Sequence, residues 1–186
     1  MMNTRNKDSL KLGVSRMITE FGALAPSKNG IKEANSLMDL ADSHMMGYIY
    51  WTYKHFEDIT TMNEDSSECF YYKNGSLQID KVKAISRTYP KSVAGNLVEY
   101  SYNANTKEFS MTYKVTNSTQ LGVSIVYFNK ELNYPNDIDD YINEPSVLVM
   151  EAITNYDSYL LLNQTKELQE GFEIKFSIKP KNKLVK

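Results

Sequence analysis

With 186 residues, 41% of them apolar, the chain has enough material for one domain or two small ones. Its formal net charge is −2 and it has no basic block, which argues against a nucleic-acid partner. A single cysteine, Cys69, rules out an internal disulfide, and no run approaches the ~18 apolar residues of a membrane span.

Residues 4–12 read as the tail of a helix that Gly13 caps. Val14 to Thr19 reads as a short buried strand presenting Glu20 at its C-terminal tip, with Gly22 turning the backbone directly afterwards. Pro26 to Gly30 is a loop in which Ser27 or Asn29 can cap a helix. That helix is amphipathic: Ile31, Ala34, Leu37, Met38, Ala41 and Met45 share one face, and Lys32, Glu33, Asn35, Asp39 and Asp42 the other. Gly47 ends it, and Tyr48-Ile49-Tyr50-Trp51 is a second strand, completing a βαβ unit. Residues 54–75 form a polar, irregular, partly acidic loop. Leu77 to Thr88 is predicted helical, with Leu77, Ile79, Val82 and Ile85 inward, basic residues between them, and a stop at Tyr89-Pro90.

After Gly95 the apolar period drops from about 3.6 to 2. Val98, Tyr100 and Tyr102 alternate with polar residues, Asn103 to Lys107 turns, and Phe109, Met111, Tyr113 and Val115 alternate again, which is a hairpin. Further strands are expected at 122–128, 146–151, 158–162 and 172–178. The last is the clearest, with Phe172, Ile174, Phe176 and Ile178 on one face and Glu173, Lys175, Ser177 and Lys179 on the other. Short strands separated by turn signals predict an antiparallel β-sandwich, and the domain boundary is expected near Gly95.

Thr19-Glu20-Phe21-Gly22-Ala23, then Trp51-Thr52-Tyr53-Lys54, then Arg87 to Gly95 as RTYPKSVAG, resemble the C-terminal part of endoglycoceramidases, enzymes of glycoside hydrolase family 5. The resemblance runs from roughly residue 10 to 180. It implies that residues 1–95 are the last two strands and helices of a (β/α)8 TIM barrel and that 96–186 are the C-terminal β-sandwich domain. It also implies that Glu20 is the nucleophile and that Trp51 is an apolar platform for the sugar beside it. The implied substrate is a glycosphingolipid, met at a membrane surface through its lipid, with no cofactor.

A retaining glycosidase needs a second carboxyl group ~5–5.5 Å from the nucleophile, acting as acid and then base. In this family it lies in an Asn-Glu-Pro motif upstream of the nucleophile. The chain does carry Asn143-Glu144-Pro145, but downstream of Glu20 and within the predicted sandwich, so Glu144 is set aside. The acid/base and most of the barrel are therefore expected to lie outside this chain. His44 and His55 have no ligand spacing that points to a metal.

Met1 to Lys11 is polar and charged and does not read as a signal peptide. The resembled family is secreted or lysosomal, and sequons at Asn74, Asn117 and Asn163 fit that setting. The alternative to a hydrolase fragment is a non-catalytic β-sandwich module that stabilises a barrel or contacts glycan or lipid.

Overall fold

A computed structural model describes residues 2–56, 58–59, 67–116, 121–153 and 158–181. The chain divides into two compact units, Met1–Ile85 and Ser86–Lys186. Among the described residues no helix is long and apolar enough to cross a membrane.

The first unit opens with helix α1 (Met2–Leu12), after which Gly13 takes φ 64, as its capping role requires. Strand β1 (Met17–Gly22) leads to helix α2 (Lys28–Ser43) and then to strand β2 (Gly47–Trp51). The strands pair in parallel as a two-stranded sheet, so this is the βαβ unit the periodicity predicts. Ser27 is the N-cap of α2, its hydroxyl accepting the Gly30 N–H at 3.2 Å. Ala34 and Met38 on α2 close with Phe21 and Leu24 into a small core, against which Ile18, Leu37, Tyr48, Tyr50 and Ile85 pack.

Helix α3 spans only Ile79–Ile85, against the expected 77–88. Both ends have other partners. Leu77 bridges to Tyr71 in the preceding loop. At the other end, Arg87 donates to the Tyr102 carbonyl at 2.9 Å and the Thr88 hydroxyl bonds that of Tyr134 at 3.0 Å.

The second unit holds two antiparallel four-stranded sheets. One has the order β4 (Asn96–Tyr102), β5 (Phe109–Lys114), β10 (Glu173–Pro180), β7 (Ile138–Glu144). The other has the order β3 (Tyr89–Ser92), β6 (Val123–Tyr127), β9 (Tyr159–Gln164), β8 (Leu148–Ile153). A short helix, α4 (Lys130–Asn133), follows β6. Inward residues of both sheets, among them Phe109, Met111, Tyr113, Ile174 and Phe176 from one and Val126, Leu148, Leu160 and Leu162 from the other, form a single core. The sandwich layering and the β4–β5 hairpin match the sequence reading.

Three details do not. The boundary falls after Ile85 rather than near Gly95, because β3 hydrogen-bonds β6 inside the second unit. Strands β3 and β7 escape the pattern: both are sheet edges, and Pro90 is tolerated in β3 because an edge strand does not need every donor. Phe172 precedes β10 and is exposed, so the alternation begins at Glu173. The sequon at Asn74 lies in an exposed turn and that at Asn163 within β9, while Asn117 lies outside the described residues.

Candidate functional site

Glu20 does not end its strand: β1 continues through Phe21 and Gly22. What distinguishes its position is the register. Met17 and Ile18 pair with Gly47 and Tyr48, but Phe21 and Gly22 pair with Tyr50 and Trp51, so Thr19 and Glu20 together oppose Ile49. This is a β-bulge. In a regular strand, residues three apart face opposite ways. Here Ile18 and Phe21 both pack on α2, and the extra residue leaves Thr19 and Glu20 exposed.

On β2 the alternation is regular. Tyr48 and Tyr50 join the helix-side cluster, and Phe21 meets both edge-on at 5.8 and 5.3 Å. Ile49 and Trp51 take the other face, 52% and 40% exposed, and Met17 adds an exposed apolar side chain on β1. The face away from α2 thus presents a carboxylate on one strand and an indole on its neighbour.

Gly22 is needed for contact rather than for turning. A Cβ at this position would lie 1.9 Å from the Trp51 carbonyl oxygen, so only glycine lets β1 approach the Trp51 backbone. The turn expected at Gly22 has its left-handed residue one position later, at Ala23, with φ 55.

Beyond β2, the Trp51–Thr52 peptide bond is cis. The Thr52 N–H donates to the Glu68 carbonyl at 2.6 Å and the Phe70 N–H to the Tyr53 carbonyl at 3.2 Å. The returning segment 67–71 therefore runs beside the residues that follow Trp51. Tyr50 stacks on Phe70 at 4.7 Å and donates its hydroxyl to the Ser67 carbonyl at 3.3 Å. Burial, with Glu68 and Cys69 nearby, pushes the Tyr50 phenol well above its usual range, so it remains a donor. A cavity of about 350 Å³ opens on this loop, lined by Tyr53, Lys54, His55, Tyr71 and Lys73 among others. Cys69 is buried, and its thiol donates to the Tyr71 carbonyl at 3.0 Å. Lys54 sits 5.6 Å over the Phe56 ring. The rest of the acidic loop, at 57 and 60–66, lies outside the described residues.

Asn143-Glu144-Pro145 is where β7 passes to β8, and its proline peptide is cis. The Asn143 side chain donates to the Leu148 carbonyl at 2.7 Å, and the Asn143 carbonyl accepts from Ser146. The triplet builds a connection between the two sheets, in the unit that does not contain Glu20.

Residues 87–175 match the glycoside hydrolase family 5 C-terminal domain. An endoglycoceramidase of Cyanea nozakii is 26% identical over 176 residues, covering 94% of this chain and 34% of its own length. One of Hydra vulgaris is 31% identical over 153 residues, covering 82% and 28%. The chain belongs to the endoglycoceramidase-like members of glycoside hydrolase family 5, as its motifs indicate. It spans about a third of the length of the curated relatives it matches. Among solved structures, endo-glycoceramidase II from Rhodococcus sp. superimposes on 91% of this chain and 34% of its own, with a TM-score of 0.65 at 15% identity. A sterylglucosidase of Cryptococcus neoformans reaches 0.63 at 12% identity over 89% of this chain and 28% of its own. At those identities the likeness is one of fold.

Proposed function

We propose that the chain is the C-terminal portion of a retaining endoglycoceramidase-like glycosidase that hydrolyses the β-glycosidic bond between glycan and ceramide. In this reading the first unit is the last two βα steps of the TIM barrel, and the open face of β1 and β2 looks into it. The Glu20 carboxylate attacks the anomeric carbon and forms a glycosyl ester, while a second carboxylic acid from an earlier barrel strand protonates the departing ceramide oxygen. That second group, as its carboxylate, then takes a proton from water, which cleaves the ester and frees the glycan. Trp51 offers its ring to the apolar face of the sugar bound beside Glu20. The glycosphingolipid is met at a membrane surface, in a secreted or lysosomal setting. One observation carries the reading: a bulge turns Glu20 onto the face that Trp51 shares, beside the backbone pairing of Gly22 with Trp51.

The test joins this chain to the missing barrel strands of an endoglycoceramidase and exposes it to a 2-deoxy-2-fluoro glycoside, which traps glycosyl esters. The label is expected on Glu20, and Glu20→Gln is expected to lower turnover of a glycosylceramide by several orders of magnitude. Label on another residue, or near-normal turnover by Glu20→Gln, refutes the assignment. A second reading, a non-catalytic sandwich module, draws support from the family match being confined to 87–175. It predicts that no trapped ester forms.

A further inference from the structure

We infer that Lys81 is a positioning residue for Trp51, acting through the returning segment 67–71; the inference rests on the reading of Trp51 as the sugar platform. Sequence pattern puts Lys81 among the solvent-facing basic residues of α3, yet it is only 1% exposed. Its ammonium donates to the Ser67 carbonyl at 2.9 Å and to the Cys69 carbonyl at 3.0 Å. Gln78, one helical turn earlier, grips the same segment. Its side-chain amide donates to the Cys69 and Tyr71 carbonyls at 3.1 and 3.2 Å, and its backbone N–H to the Phe70 carbonyl at 2.7 Å.

The carbonyl between those held by Lys81 is that of Glu68, which accepts the N–H of Thr52, the residue bonded to Trp51. Carbonyls 67 and 69 fix the orientation of the peptide that carries carbonyl 68. A buried ammonium loses its hydration and keeps its charge only where acceptors replace the water, so this contact has a defined geometry. The route is short: Lys81 holds the carbonyls on either side of Glu68, Glu68 holds Thr52, and Thr52 sets the end of β2 where Trp51 emerges. Lys81 touches no sugar in this arrangement.

The consequence can be read without substrate, because Trp51 is the one tryptophan of the chain. Lys81→Met keeps the unbranched side chain to one atom short of its full length and removes its charge and donors. In the whole chain, hydrogen exchange at the Thr52 and Phe70 amides is expected to accelerate about tenfold or more, the scale of losing a charge-assisted hydrogen bond. Acrylamide quenching of Trp51 is expected to rise in parallel, while the amides of α2 keep their protection. Gln78→Leu should move the same readouts in the same direction, and Lys83→Met, on the exposed side of α3, should move none. Wild-type protection at Thr52 with unchanged quenching overturns the inference. So does a loss of protection in α2 equal to that at Thr52, which would make Lys81 a general support of the unit. If Trp51→Ala, in the chain completed with its barrel strands, leaves KM for a glycosylceramide unchanged while Lys81→Met still moves exchange and quenching, the sugar platform falls and the positioning role stands.

Discussion

Tyr134→Phe removes one buried oxygen from the second unit and leaves the ring, which meets Phe128 edge-on at 5.6 Å. Tyr134 has no exposed surface. Its hydroxyl donates to the Lys107 carbonyl at 2.8 Å and bonds the Thr88 hydroxyl at 3.0 Å, tying the entry to β3 and the β4–β5 turn to the residue that closes α4. Deleting it leaves those groups short of a partner, at a cost of about 1–3 kcal/mol near neutral pH, or roughly 1 M in urea midpoint. The pH dependence is more diagnostic. Burial pushes the phenol from 10.0 up to about 12, against a smaller lowering from the Thr88 bond. A folded pKa above the unfolded one means that the unfolded chain ionises first as pH rises. The wild type therefore keeps its full advantage below pH 10 and loses it between pH 10 and 12, by about 3 kcal/mol in all and roughly half of that by pH 11. The assay is urea unfolding of both proteins at pH 8 and pH 11, followed by β-sheet ellipticity. Tyrosines common to both cancel in the difference. A wild-type advantage that stays constant from pH 8 to pH 11 refutes the argument, as does a variant of equal stability at pH 8.

Other substitutions separate the roles of the remaining residues. Trp51→Ala, in the chain completed with its barrel strands, should raise KM for a glycosylceramide while the melting temperature holds; a large fall in melting temperature with normal KM would assign the indole to packing. Gly22→Ala should force β1 and β2 apart at their last pair and cost about 1–3 kcal/mol, with a shift in Trp51 emission as its marker; unchanged emission would refute the close approach. Phe176→Ala, deep in the sandwich core, should cost about 3–5 kcal/mol in the second unit, seen in its urea transition, and leave Trp51 emission where it was.

Period alone carries a large part of this fold. The face of α2 with Ala34, Met38 and Ala41 is buried as the 3.6-residue spacing predicts, and Ile174, Phe176 and Ile178 alternate inward on β10. What the sequence hides is long-range compensation. Lys81 reads as solvated because a lysine is rarely buried, and the sequence does not show that carbonyls of a loop more than ten residues earlier accept from its ammonium. Arg87 and Thr88 continue a plausible helix until the Tyr102 carbonyl and the Tyr134 hydroxyl claim them. Glu20 and Trp51 are legible through their motifs. Their common face is not, because no residue type marks the extra position between Ile18 and Phe21.

That extra position makes chain length, as well as residue type, a variable at the candidate site. Removing Thr19 alone would restore a regular two-residue phase: Ile18 and Phe21, then two apart, still face α2, and Glu20, opposite Ile49 by itself, still faces away. Exchange of Thr19 for another small residue leaves the phase intact. A single-codon deletion of Thr19 would thus straighten β1 and shift the carboxylate along it rather than turn it to the other face, and a graft of this segment into another barrel keeps the bend only if it carries the extra residue along with the glutamate.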